Sequence, residues 1–262
     1  MKKLTIGSIQ KCKSARKLVM ITAYDAIFAR LLSESADILL VGDSLNMSFG
    51  GNPDTLSITM DQMIYHTNAV CKGAPNTFVI TDMPFGSYID EVTAFSNAMK
   101  VYRETSADAV KIEGGADKAH LVHHLTSNGI AVCGHIGLLP QAVRAEGGYK
   151  VKGKTEDEAL SLIADAQALE KAGAFILVIE GVKADVATRV AMSVSIPIIG
   201  IGAGNGVDGQ VLVFSDMLGL YEPFVPKFVK QYMNGAAAVK EAAANYKTEV
   251  QNRGFPSDEY IY

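Results

Sequence analysis

The chain has 262 residues, 48% hydrophobic and 20% charged, a composition expected of an ordinary soluble globular protein and a length near that of one α/β barrel. With 24 basic and 28 acidic residues the formal charge is −4, and no basic block marks a nucleic-acid or membrane surface. The basic start, Met1-Lys2-Lys3, runs into polar Ser8, Gln10 and Lys11 rather than a signal-peptide core, and no later run is long enough for a membrane span, so a cytoplasmic location is expected.

Residues 5–13 predict a short amphipathic helix ahead of the repeating part, a lid or plug under the main domain. Leu18-Val19-Met20-Ile21-Thr22 then reads as a strand ending in Ala23-Tyr24-Asp25, with a helix over 26–34. The next strand is Ile38-Leu39-Leu40-Val41, which stops on Gly42-Asp43-Ser44; a loop at 49–54 leads to a helix over 60–72. The pattern repeats. Strands over 77–81, 109–112, 130–134 and 174–179 stop respectively on Asp82, Glu113, His135 and Glu180, with helices over 91–105, up to 127, over 156–172 and over 183–193. A Gly- and Lys-rich insertion, 144–154, follows the His135 strand. Strands over 196–201 and 211–214 end the series, although residues 202–210 between them are too few for a full crossover helix. Residues 226–253 predict one or two closing helices, and 254–262 an exposed or partner-bound end. Eight strands alternating with helices predict a (β/α)8 TIM barrel spanning 1–262 as a single domain.

Active sites of such barrels lie at the carboxyl ends of the strands. Side chains alternate along a strand, so Asp43 is expected to share a face with Leu39 and Val41, Asp82 with Ile80, Glu113 with Lys111, His135 with Cys133, and Glu180 with Val178. For Asp43-Ser44 a helix N-cap is the competing reading. If the first reading holds, Asp43, Asp82, Glu113 and Glu180 converge at one mouth, where their repulsion calls for a cation, and all-oxygen ligands favour Mg²⁺ or Mn²⁺. Lys111, costly to bury in an apolar run without a purpose, adds a positive charge for an anionic substrate. His135 reads as a substrate contact or a hydrogen-bonded core histidine. Cys133 reads as a small buried residue, and Cys12, Cys71 and Cys133 together lack a metal-ligand spacing, so reduced thiols are expected. The glycine-rich turn Gly200-Ile201-Gly202-Ala203-Gly204 suits either a phosphate cradle or a close backbone approach.

Taken in order, Thr22-Ala23-Tyr24-Asp25, Val41-Gly42-Asp43-Ser44, Asp82-Met83-Pro84-Phe85, Lys111-Ile112-Glu113-Gly114-Gly115, Gly134-His135-Ile136-Gly137 and Gly147-Gly148-Tyr149-Lys150-Val151 form a specific series. The chain resembles the ketopantoate (3-methyl-2-oxobutanoate) hydroxymethyltransferase family along nearly its whole length. The resemblance implies a barrel of the phosphoenolpyruvate/pyruvate-binding type and transfer of a hydroxymethyl group from 5,10-methylenetetrahydrofolate to 3-methyl-2-oxobutanoate through a Mg²⁺-stabilised enolate. It implies Asp43, Asp82 and Glu113 as Mg²⁺ ligands; Asp43, Ser44, Asp82, Lys111 and His135 as the oxo-acid site; Glu180 as proton acceptor; and a homodecamer. This chain departs from the family pattern at Asn46, where Gly is usual and where a left-handed backbone is expected, at Leu139, where Thr is usual, and at Glu259-Tyr260 in the tail.

Two other readings fit less well. A lyase or mutase of the same barrel group would place a reactive Cys in a lid loop, where this chain has none. A non-catalytic oxo-acid-binding barrel would need neither Lys111 nor Glu180.

Overall fold

The computed structural model describes residues 3–262. Eight parallel strands close into a barrel in chain order: β1 (Leu18–Thr22), β2 (Ile38–Val41), β3 (Phe78–Asp82), β4 (Ala109–Glu113), β5 (Val132–Gly137), β6 (Ile176–Glu180), β7 (Ile198–Ile201) and β8 (Gly209–Leu212), with β8 pairing back onto β1. The helices in this first part of the chain are α1 (Ile6–Gln10), α2 (Ala26–Leu32), α3 (Leu45–Ser48), α4 (Met60–Gly73), α5 (Glu91–Glu104), α6 (Ala119–Ser127), α7 (Val143–Glu146), α8 (Glu156–Lys171) and α9 (Ala184–Ser193). The expected (β/α)8 barrel is therefore present.

Parity along the strands sorts the side chains. Met20, Ile38, Leu40, Ile80, Val178 and Ile199 belong to one buried cluster inside the barrel, while the alternate residues between them, such as Leu39, Val41 and Val79, turn to the helical layer. The helices start where short polar side chains satisfy the first free N–H groups. Asp25, Thr59, Asp90 and Thr155 cap α2, α4, α5 and α8. At the amino-terminal end of the barrel α1 forms the expected plug: Thr5 and Ser8 make a capping box, Ile9 is fully buried in the barrel cluster, and Lys13 just beyond it donates to Asp208 at 2.7 Å.

Four strands start away from the ends of their apolar runs. β8 starts at Gly209 rather than at Val211, because the register to β1 and β7 is set there; a Cβ on Gly209 would meet the Leu18 carbonyl oxygen at 2.5 Å. β5, β6 and β7 start two residues later than expected; β5 and β6 run on through His135 and Glu180, since their mutual pairing extends to Gly137 and Glu180. Residues 202–208 hold no helix, and Val19 on β1 is 44% exposed. In that turn Gly204 has φ +79° and a Cβ would sit 2.5 Å from that of Ala184, which favours the close-approach reading of the glycines.

The chain divides into two compact units, the second being Phe214–Tyr262. It carries α10 (Phe214–Met217) and one long helix, α11 (Gly235–Gln251), capped by Asn234, and residues 254–262 are exposed.

Candidate active site

Strand register assembles most of the site. Asp82 closes β3 opposite Lys111 on β4, Lys111 lies opposite Cys133 on β5, and Glu113 lies opposite His135. Glu180 closes β6 opposite Gly137. All of these occupy inward positions, and Asp82, Glu113, His135 and Glu180 lie toward the carboxyl ends of their strands, where they meet at one mouth with Lys111 beneath them.

Asp43 arrives there by a different route from the one parity predicts. The inward residues of β2 are Ile38 and Leu40, so Leu39, Val41 and an extended Asp43 would point away from the barrel. The strand instead stops at Val41, and at Gly42 the chain bends into α3; a Cβ on Gly42 would lie 3.6 Å from Asp82 Oδ2. This bend turns Asp43 inward, where its N–H donates to Asp82 Oδ2 at 3.0 Å. Ser44 stands at the N-cap position of α3 but makes no side-chain cap, and its hydroxyl pairs with that of Tyr24 at 2.7 Å. The capping alternative therefore does not describe what these side chains do. Asn46 also needs no left-handed backbone, since it lies within α3; its amide bridges the Asp54 carbonyl at 2.7 Å and Ser57 Oγ at 2.9 Å.

Asp43, Asp82, Lys111, Glu113 and His135 are each no more than 4% exposed. Lys111 Nζ lies 3.1 Å from Asp82 Oδ1 and 3.2 Å from His135 Nδ1. His135 Nδ1 is 3.4 Å from Glu113 Oε1, and its Nε2 is 3.4 Å from Glu180 Oε2. Glu180 is the most open of these carboxylates, its side chain 19% exposed.

Charge follows from this geometry. Burial, then the nearby charges of Asp82 and Glu113, push the Asp43 carboxyl well above its ordinary range. Burial also raises Asp82, against the pull of Lys111. Glu113 ends below its usual value, because His135 and Lys111 outweigh its burial. Burial would lower Lys111, yet the three carboxylates around it hold its ammonium charged. For His135, burial and Lys111 act downward while Glu113 and Glu180 act upward, and the imidazole is pushed up to about 9.

Comparison with known proteins adds a family. The family model described as ketopantoate hydroxymethyltransferase matches residues 3–258. The chain belongs to this family. Similar to it are the 3-methyl-2-oxobutanoate hydroxymethyltransferases of Sulfurimonas denitrificans, 68% identical over 100% of this chain and 99% of that one, and of Helicobacter pylori strain 26695, 51% identical over 98% and 95%. In fold the chain is similar to a phosphonopyruvate hydrolase solved with oxalate and Mg²⁺ (TM-score 0.63, 13% identity, 98% and 91% coverage). It is likewise similar to 2,3-dimethylmalate lyase, a member of the PEP mutase/isocitrate lyase superfamily (TM-score 0.62, 19% identity, 98% and 91% coverage).

Three residues of this ketopantoate hydroxymethyltransferase family member escaped the sequence reading. Tyr24 reaches Ser44, as above. Gln141, on a 3-10 turn (Pro140–Ala142) after β5, touches both Asp43 and Glu113, and the buried hydroxyl of Tyr88 touches Gln141. Neither Tyr88 nor Gln141 ends an apolar run, so strand patterning gives no signal for them. Beyond Gln141 lies an open cavity of about 400 Å³, walled also by Leu56, Ser57, Phe85, Arg144 and Ala145. Arg144 is held there by Asp54, whose Oδ2 accepts from its Nε and Nη2 at 3.0 and 2.9 Å.

Proposed function

We propose that the chain transfers a hydroxymethyl group from 5,10-methylenetetrahydrofolate to 3-methyl-2-oxobutanoate, giving 2-dehydropantoate, the first step of pantothenate biosynthesis. The observation that carries this reading is the single buried cluster in which Lys111, Asp82 and His135 stand within 3.1–3.4 Å of one another or of Glu180. A binding-only barrel needs no open carboxylate poised beside a buried cation.

The donor set fits a hard divalent cation. Asp43, Asp82 and Glu113 bring three buried carboxylates against one lysine and one imidazole, and Asp82 Oδ1, although near Lys111, makes no aligned hydrogen bond. Among the described residues no three His, Cys, Asp or Glu side chains form a ready-made ion site. Mg²⁺ binds through few carboxylates and completes its shell with water and substrate oxygens. Asp43 and Asp82 would hold it, with Glu113 as the third carboxylate. When bound, Mg²⁺ supplies Lewis-acid stabilisation of the negative charge that develops on the keto oxygen.

The remaining work falls to the protein. Ser44 and Lys111 hold the oxo-acid oxygens, and Lys111, kept charged, steadies the growing enolate. Glu180 takes the C3 proton: it is the most open of the mouth's carboxylates, and its contact with His135 Nε2 orients it. The donor carbon is held by two folate nitrogens: forming its bond to C3 breaks one of these C–N bonds, water replaces the other and supplies the hydroxyl oxygen, and the C3 proton and one water proton end on the two nitrogens as tetrahydrofolate leaves. The cavity beyond Gln141 has room for the donor's ring system next to this site. We place the protein in the cytoplasm as a homodecamer; large apolar side chains on the helices, including Ile27, Tyr65 and Val92 at 71%, 73% and 80% exposure, leave surface for subunit contacts.

The lyase or mutase alternative finds no support in the cysteines, all three of which are buried, Cys133 inside the barrel. The decisive experiment follows loss of the C3 proton signal of 3-methyl-2-oxobutanoate in D₂O by NMR, with and without Mg²⁺. Metal-dependent exchange, followed by product formation once 5,10-methylenetetrahydrofolate is added, is expected. Bound oxo acid with no exchange, even with the folate present, would overturn the reading. Glu180→Gln should bind the oxo acid and lose the exchange.

A further inference from the structure

One buried polar residue of the mouth has no part in the steps above. Gln141 is 7% exposed, yet its N–H and its side-chain amide are all engaged. The N–H donates to Glu113 Oε2 at 3.0 Å, and Nε2 donates to Asp43 Oδ2 at 2.8 Å and to the Met83 carbonyl at 3.0 Å. Its Oε1 accepts from the Tyr88 hydroxyl, which in turn accepts from the Glu113 N–H at 3.3 Å. These partners allow one amide orientation. The Met83 carbonyl can only accept and the Tyr88 hydroxyl has its proton to give, so the NH₂ end must face Asp43.

We propose that Gln141 is a positioning residue for the carboxylates of the oxo-acid site, with Tyr88 as the group that sets its amide. One short turn thereby spans the mouth and fixes, through neutral donors, which oxygen of Asp43 and which oxygen of Glu113 the protein keeps for itself. A neutral donor suits this task, since a cation there would compete with the metal for the same carboxylates. The inference rests on the Mg²⁺ reading above.

The test uses the full-length protein with Mn²⁺ alone, its free form counted by EPR, without oxo acid or folate. Gln141→Met keeps the side chain's length and removes the amide. Its Mn²⁺ affinity is expected to fall about 10- to 100-fold, the usual effect of removing a group that orients a metal ligand, and C3 exchange should fall with it in kcat more than in KM. A turn anchor without a positioning role would lower the melting temperature and leave Mn²⁺ affinity unchanged, and that result would overturn the proposal. Should Gln141→Met not fold, Tyr88→Phe serves: a smaller loss of affinity in the same direction is expected, and unchanged affinity in the folded variant overturns the proposal equally. Wild-type protein that binds no Mn²⁺ would instead sink the metal reading on which the proposal stands.

Discussion

Lys111 shows how a single residue can be costly and required at once. Its ammonium is 4% exposed in the barrel, and only the carboxylates around it repay its lost hydration. Lys111→Ala leaves Asp82 and its neighbours buried without their cation, so a loss of about 3–5 kcal/mol is expected in urea unfolding with EDTA present. A loss below about 1 kcal/mol would mean that the carboxylates are already neutral there. The same interior explains Cys133, whose thiol is pushed up to about 12, first by burial. It stays protonated in the folded protein at pH 8, and Cys12 and Cys71 are buried as well. Ellman's reagent is therefore expected to find no fast-reacting thiol at pH 8 until denaturant is added. A rapidly titrating native thiol would contradict the packing. Asn46 makes the complementary point: a residue that looked like a backbone device is a hydrogen-bonding one, joining α3 to the loop at Asp54.

Among the elements, α1 and the end of β5 contribute different things to the site. α1 closes the end of the barrel opposite the mouth, with Ile9 fully buried against the interior cluster. Ile9→Ala should cost about 2–5 kcal/mol in unfolding experiments while leaving the oxo-acid KM within twofold, because the cavity opens far from the ligands. A large change in KM with little loss of stability would place α1 nearer the chemistry than it stands. At the other end Gly137 finishes β5 with φ +95°, and a Cβ there would meet the Glu180 carbonyl oxygen at 2.4 Å. Only glycine lets β5 and β6 run this close beside the proposed base. Gly137→Ala is expected to destabilise by at least about 1–3 kcal/mol and to depress C3 exchange further than stability alone explains. Exchange at the wild-type rate in the folded variant would separate Glu180's position from this contact.

At the scale of the whole molecule, the helical layer is the informative part. It lacks a helix over 202–208, and β1 shows Val19 to solvent. Exposed apolar side chains recur on α2, α4 and α5, through Ile27, Leu31, Tyr65 and Val92. Isolated exposed apolar residues are ordinary, but this number on neighbouring helices suits contacts between copies. Sedimentation equilibrium is expected to give ten times the monomer mass, and a lone monomer at micromolar concentration would refute the decamer. Among the described residues no helix is long and apolar enough to cross a membrane.

What the sequence by itself determined was periodic. The eight apolar runs and the polar residues that stop most of them are properties of consecutive residues, so the barrel, the plug helix and the inward placement of Asp82, Lys111, Glu113, His135 and Glu180 could be read directly. The tertiary structure decided whatever depends on where the chain leaves that period. Asp43 faces the mouth because β2 ends at Val41 and bends at Gly42, a turn that parity cannot foresee. Gln141 reaches the carboxylates, and Tyr88 reaches Gln141, from loops far apart in the chain, and a loop residue has no period to mark it. The starts of β5, β6 and β8 likewise follow the hydrogen-bond register of their neighbours, because a strand's limits are set by the partner it pairs with as much as by its own hydrophobicity.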